Sequence, residues 1–180
     1  ASTLGTCLDA VLAQLGTADE VLVVDDHSTD ATAEVALARR VLLLRLDPGR
    51  RGAAAARNLG ASVASGGVLV FLDADVVMAP GCLAALLRRI DEGADASIGF
   101  YDAADLDVGS WSAVKNVSIR ANHARSGTRI AWFWTAVSAI RADAFHGTGG
   151  FDEGLFGSGA TVEDMEFGLR LARSGRIVVQ

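Results

Sequence analysis

Four carboxylates stand at the ends of two short apolar runs. Val21-Leu22-Val23-Val24 ends in Asp25-Asp26, and Val68-Leu69-Val70-Phe71-Leu72 ends in Asp73-Ala74-Asp75. Each run is short, β-branched and bounded by polar or Gly residues, the pattern of a buried parallel strand. Neighbouring parallel strands place their C-terminal ends on one sheet edge, where open α/β sheets bind ligands. Acids gathered there repel one another, and a hard divalent cation bridging to a phosphate-bearing ligand supplies the counter-charge. If the second strand continues through its acids, alternation sets Asp73 and Asp75 on one side. Their oxygens then form half of a Mg2+ or Mn2+ site, completed by phosphate and water. An acidic turn ahead of Pro80 is the plainer alternative. In the first block, a carboxylate at the strand end can accept from a nucleobase N–H, whereas Ser28 and Asp30 read as well as helix caps.

Further groups surround these acids in sequence. Gly49-Arg50-Arg51-Gly52 leads into a helix carrying Arg57 and Asn58. Backbone N–H groups of such a loop can meet an anion, and Arg57, on the second turn, can reach a diphosphate or a base. Arg50 and Arg51 read better as solvated surface residues. Thr161-Val162-Glu163-Asp164 has the form of a capping box, with Thr161 as cap. Asp164 is equally a general-base candidate at a helix start. In that helix Met165, Leu169 and Ala172 are read as the core stripe, and Glu166, Arg170 and Arg173 as the solvated face. Gly168 costs about 1 kcal/mol against Ala in a helix interior, so close approach of a ligand or a backbone is expected there. Of Trp132, Phe133 and Trp134 at least one reads better as core; alternation places the two Trp on one face, opposite Phe133, and if that face is solvent-side they can form a platform for a sugar or lipid. Gly149-Gly150-Phe151-Asp152-Glu153 reads as a tight turn with two acids. His27, His123 and His146 show no metal spacing and read as structural or surface residues.

The elements that must position these groups alternate. The patterns predict helices over 3–15, from Ser28 or Thr29 to about Arg40, and over 53–64, 80–92, 112–125 and 162–174. Strands are predicted over 20–24, 41–44, 68–72, 96–101, 132–140 and 177–179, and loops over 102–110 and 147–158. Alternating strands and helices imply a mostly parallel sheet covered by helices. At 180 residues this is one domain, and 51% hydrophobic content suits a sheet covered on both faces. A net charge of −6 with Lys115 as the only Lys argues against nucleic acid as a partner. Cys7 and Cys82 match no metal or redox spacing, so a reduced, cytoplasmic compartment is expected. The sequon Asn116-Val117-Ser118 carries almost no weight there. No run approaches the ~18 apolar residues of a membrane span, and no signal peptide is visible. Both ends read as cut. The chain opens on a helix and stops inside an apolar run, as a fragment of a longer protein would.

In this order and spacing, five segments resemble the family 2 glycosyltransferases of the GT-A fold. They are Val23-Val24-Asp25-Asp26-His27-Ser28-Thr29-Asp30, Ala56-Arg57-Asn58-Leu59-Gly60, Phe71-Leu72-Asp73-Ala74-Asp75, Gly149-Gly150-Phe151-Asp152-Glu153 and Glu163-Asp164. The resemblance implies a GT-A-like α/β domain, a nucleotide-sugar donor (a UDP-sugar by preference), and inverting, metal-dependent transfer to a hydroxyl. It implies donor contacts from Asp25, Asp26, Arg57 and Asp73, with Asp26 and Arg57 at the base and Asp73 at the ribose. Asp75 would hold Mg2+ or Mn2+ on the diphosphate, and Asp164 would deprotonate the acceptor. Trp132, Trp134, Asp152, Glu153 and Glu163 mark the acceptor region, for a lipid-linked or polysaccharide acceptor. The family's first strand and its segment after the last helix are missing, and Ala136 stands where relatives often have Gly. Membrane association would come through the missing segments, at the cytoplasmic face. Two rival readings stand beside this one. The first is a nucleotide-binding fragment without activity. The second is a phosphohydrolase of the haloacid dehalogenase type, which needs a later Lys in a motif that Lys115 lacks.

Overall fold

The computed structural model describes residues 2–100, 129–154 and 162–179. The helix expected over 112–125, the loop over 102–110 and the cap Thr161 lie outside them. The described elements are α1 (Ser2–Leu12), β1 (Leu22–Asp25), α2 (Thr32–Ala38), β2 (Leu42–Arg45), α3 (Ala53–Val63), β3 (Val68–Leu72) and α4 (Cys82–Asp91). They continue with β4 (Ala96–Ile98), β5 (Arg129–Ile130), β6 (Val137–Arg141), α5 (Ala142–Gly147), α6 (Glu163–Arg173) and β7 (Val178–Val179). Helix α5 and strand β5 were not expected from the sequence, and the strand expected over 132–140 begins only at Val137.

The sheet is mixed, which corrects the mostly parallel expectation. β1 and β2 form a parallel pair. The other described strands are ordered β3-β6-β4-β7-β5, in which β4–β7 is the one parallel neighbouring pair. Strand direction is invisible to periodicity, and the antiparallel β6 is an apolar run as buried as its neighbours.

Alternation along β3 sorts its residues between two cores. Leu69 and Phe71 enter an aromatic cluster with Phe133, Phe145, Phe151 and Phe167. Val68 and Leu72 pack into an aliphatic cluster under α1 and α4. Helix α1 supplies Leu4, Leu8 and Val11 to the latter, and α4 supplies Leu83, Leu86 and Ile90, each set a single helical stripe. On the aromatic side the rings meet edge-on or tilted, with Phe151 and Phe167 centroids 4.8 Å apart. Helix α3 approaches β1 closely: a Cβ on Gly60 would sit 3.3 Å from Val24 Cγ2.

Helix α6 presents a different face from the one its apolar residues indicate. Phe167, Gly168 and Leu171 are buried together with Glu163, while Met165 and Leu169 are 55% and 49% exposed. Arg170 is drawn inward by acceptors that the helix pattern does not contain. Its Nη1 donates to the Thr148 carbonyl at 2.6 Å, its Nη2 to the Gly150 carbonyl at 2.7 Å, and its Nε to Glu166. Gly168 explains the rest. A Cβ there would lie 2.2 Å from Phe133 N and 2.5 Å from Trp132 Cα, so the expected close approach is to backbone. No described helix is long and apolar enough to cross a membrane.

Candidate active site

The first acid pair divides its work. Asp25 is buried; its Oδ1 accepts the Ser28 N–H at 2.9 Å and its Oδ2 lies 3.2 Å from Arg45 Nε, across the parallel register. Asp26 is exposed, and its Oδ2 accepts the Gly52 N–H at 2.8 Å at the start of α3. His27 holds a left-handed backbone (φ 58°) and its Nε2 bonds the Arg50 carbonyl at 3.1 Å. The 25–28 turn and the 49–52 loop are thus one docked unit. The expected cap from Ser28 or Thr29 is absent. Helix α2 starts later, and Asp30 Oδ1 accepts from Thr32 N and Oγ1.

The second pair sits in a turn rather than on a continued strand. The strand ends at Leu72, and the Asp73 carbonyl accepts the Val76 N–H at 3.0 Å. Strand alternation therefore does not govern Asp73 and Asp75, and the shared-side argument fails. Asp75 is exposed, and no ion pair of it is found among the described residues. Cys7 of α1 backs this turn, its Sγ 3.7 Å from the Asp73 carbonyl. Burial, and then the Asp75 and Asp73 charges, push its thiol up. Among the described residues no three His, Cys, Asp or Glu side chains gather as a metal cluster. The turn offers hard oxygen donors of the kind Mg2+ and Mn2+ take, as a partial ligand set.

Arg57 joins Asp73 to α6. Its Nη2 donates to Asp73 Oδ1 at 2.8 Å and its Nη1 to Glu163 Oε1 at 2.6 Å, with the guanidinium 5.8 Å from the Phe151 ring centroid. Asp164 follows Glu163 on the first turn of α6. Its Oδ1 accepts the Met165 N–H at 2.7 Å, and the nearby Thr135 main-chain N–H favours the ionised carboxylate. Burial raises the Asp164 carboxyl above the usual carboxylate range. The neighbouring Glu163 adds to this, while the two N–H groups and Arg57 oppose it. The Asp73 N–H bonds the Ala136 carbonyl at 3.1 Å. Asp73 and Asp164 therefore lie beside adjacent residues, Ala136 and Thr135, of one segment.

The expected acceptor residues fall into two groups. Trp132 and Trp134 are half-buried with ring centroids 6.3 Å apart, and both pack against the aromatic cluster that holds the buried Phe133; the segment is not a strand there, so the expected alternation does not govern it. Glu153 is held within the fold. Arg50 Nε donates to its Oε2 at 3.1 Å, and Asn58 Nδ2 and Arg50 Nη2 donate to its Oε1, which keeps its carboxyl below the usual range. Asp152 is exposed and accepts the Gly154 N–H. Sequence patterns assigned no role to Asn58, which brackets Phe151: Nδ2 donates to the Phe151 carbonyl and Oδ1 accepts its N–H. Gly150, at φ +66°, leaves the space for that Asn. Asn58→Ala removes both main-chain bonds and is expected to cost roughly 2 kcal/mol, read by urea denaturation. An unchanged midpoint would show that the bracket adds nothing.

A family model described as "Glycosyl transferase family 2" matches residues 1–146. The chain belongs to glycosyl transferase family 2. The succinoglycan biosynthesis protein ExoO of Rhizobium meliloti is 38% identical over 59% of this chain and 32% of its own length. A validoxylamine A glucosyltransferase of Streptomyces hygroscopicus subsp. limoneus is 30% identical, over 96% of this chain and 45% of its own. Against these two relatives the chain spans less than half of their length. The mannosyltransferase PcManGT of Pyrobaculum calidifontis, solved with GDP-Man and Mn2+, shares the fold with a TM-score of 0.75 at 23% identity, over 100% of this chain and 51% of that one. S. aureus TarS with UDP-GlcNAc gives 0.74 at 19% identity, over 99% and 52%. The GT-A fold is thereby established for this family 2 chain, and the phosphohydrolase reading is set aside.

Proposed function

We propose that this chain is the donor-binding and catalytic part of an inverting glycosyltransferase using a nucleoside-diphosphate sugar. The observation that carries the reading is the placement of Asp73 and Asp164 beside adjacent residues Ala136 and Thr135, at one end of the sheet, with Arg57 bonding both Asp73 and the neighbouring Glu163. A donor-side acid and a carboxylate raised by burial then face one reaction centre. Asp164 takes the proton of the acceptor hydroxyl as that oxygen bonds to the anomeric carbon. The bond to the diphosphate breaks with its electron pair, and attack opposite the leaving group inverts the centre. Asp26, exposed beside the docked 49–52 loop, reads the base, and Asp73 keeps an oxygen beyond its Arg57 bond for the ribose. Asp25 and Arg57 act at the donor end by holding that surface. Asp75 would hold Mg2+ or Mn2+, which would supply charge neutralisation on the departing diphosphate. Trp132 and Trp134 offer apolar faces to an acceptor, lipid-linked or polysaccharide. The donor read first is a UDP-sugar. The neighbours solved with GDP-Man and with UDP-GlcNAc make the base an experimental variable.

The test is a thermal-shift panel on the full-length protein with Mn2+ and UDP-glucose, UDP-GlcNAc, UDP-galactose and GDP-mannose. A ligand at a hundredfold excess over Kd stabilises by about 2.7 kcal/mol, or roughly 5–11 °C for a domain of this size. A response to a UDP-sugar supports the reading, and a response to GDP-mannose alone reassigns the base. No response to any donor sinks it. Asp75→Ala should abolish the Mn2+-dependent part of the shift and leave the ligand-free melting temperature in place. Equal donor shifts in that variant, with and without chelator, would remove the metal role. Donor binding with no turnover on any acceptor would favour the inactive, nucleotide-binding alternative.

A further inference from the structure

The resemblance assigns Arg57 to the donor, yet its guanidinium bonds two carboxylates of the protein, and its side chain is 16% exposed. We infer that Arg57 is a positioning residue for Asp164: by holding Asp73 and Glu163 in one fork, it fixes the first turn of α6 against the end of β3. The inference rests on Asp164 being the base.

Three observations carry it. Glu163 is a charged residue with 7% exposure at the first position of α6, and burial of a lone carboxylate is costly unless it is paired. Its Oε1 bonds Arg57, while its Oε2 is buried without a hydrogen-bond partner among the described residues. The second observation is that α6 begins without a side-chain cap: Val162 holds the N-cap position, and only its carbonyl bonds into the helix, accepting the Glu166 N–H. Third, Arg57 lies on α3 and Asp73 at the end of β3, so one guanidinium joins three elements that follow one another around the site. Asp164 is the next residue after the anchored Glu163. A shift of about 1 Å in such a group can cost on the order of 10² in rate.

Among the described residues, the charged groups facing Asp164 are Glu163 on its own helix and Arg57 on α3. They give the inference a signed readout. Removing the Glu163 charge lowers the Asp164 pKa, so in Glu163→Gln the acid limb of the rate profile should move to lower pH.

The experiment uses the full-length protein with Arg57→Ala, Arg57→Lys, Glu163→Gln and the double variant Arg57→Ala/Glu163→Gln. Binding is measured with UDP–Mn2+ and GDP–Mn2+, and turnover as nucleoside diphosphate release from UDP-glucose and GDP-mannose. Arg57→Ala leaves the Glu163 charge buried and unpaired, and its melting temperature should fall by roughly 6–20 °C. The double variant should recover part of that loss. Arg57→Lys keeps a charge but not the planar fork. It should fold, bind the diphosphates within about twofold of the parent, and turn over on the order of 10² more slowly. If Arg57→Lys instead weakens diphosphate binding tenfold or more, with unchanged turnover at saturation, Arg57 is a donor contact and the inference falls. If the double variant loses as much stability as the two single variants added together, the Arg57–Glu163 pair is not coupled and the inference also falls. Asp164→Asn separates the two readings. Wild-type turnover in that variant retires Asp164 as the base even where the Arg57–Glu163 coupling in melting temperature is found.

Discussion

Asp164→Asn in the full-length protein should lower turnover by about 10² to 10⁴, the usual worth of a positioned base, while donor binding stays near that of the parent. Asn keeps an oxygen for the Met165 N–H and the nearby Thr135 N–H but cannot take a proton at neutral pH. The raised carboxyl gives this variant a second signature, in stability. Burial disfavours the ionised form in the folded state, so the native pKa of Asp164 lies above its unfolded value. Such a group contributes stability that is full below the unfolded pKa and is lost as pH rises through the native one. At neutral pH the charged Asp164 therefore weighs against the fold, and Asp164→Asn should melt at the same temperature as the parent or higher. The two proteins should converge as pH falls below the ordinary carboxylate range. In the parent, kcat/KM should fall as pH drops through the raised native pKa, giving an acid limb above that range. A variant that loses stability at neutral pH and retains its turnover would make Asp164 a helix-start residue only, with Glu163 and Asp152 next in line as the base.

The sequence made the site legible where chemistry is local. The strand–acid blocks, the helix bearing Arg57 and the Glu163-Asp164 step were all visible as residue types at set spacings. What stayed hidden depended on partners distant in the chain. Glu163 is buried because Arg57, 106 positions away, pairs with it. Nothing in the α6 pattern announces that, so the pattern puts the apolar Met165 and Leu169 on the core stripe, whereas Glu163 completes the buried face. Arg170 turned inward for the same kind of reason, toward the carbonyls of Thr148 and Gly150. Strand direction was likewise out of reach: β6 looks like any buried strand and runs antiparallel to both neighbours. The Asp73-Ala74-Asp75 step failed as an alternation argument because alternation assumes that the strand goes on. One main-chain bond, Val76 N–H to the Asp73 carbonyl, closes a turn instead. That turn leaves Asp75 exposed and Asp73 within reach of Arg57.

Gly168→Ala should be the most damaging single-methyl change in the last helix. In an open helix, Gly to Ala stabilises by about 1 kcal/mol through propensity, so the sign of the effect tests the packing directly. Here the new Cβ would sit 2.2 Å from Phe133 N and 2.5 Å from the Trp132 C and Cα. These are backbone atoms, and no rotamer change can clear them. Either α6 moves away, or the 132–133 segment does. Phe133 is fully buried, and its ring packs edge-on at 6.3 Å from Phe71 and 5.4 Å from Phe167. The strain therefore passes into the aromatic core, and overpacking of that kind typically costs 1–3 kcal/mol, occasionally more. With the propensity gain set against it, the net should still be a loss, read as a melting temperature several degrees lower. The same displacement acts on function, because Asp164 lies one turn before Gly168 and the neighbouring Thr135 lies two residues after Phe133. Misplacement of about 1 Å is enough for a loss near 10² in turnover. Leu169→Ala is the control: that side chain is 49% exposed, so its truncation should change stability and rate little. If Gly168→Ala melts as high as the parent or higher, the close contact of α6 with the 132–133 backbone is not what holds Asp164 in place.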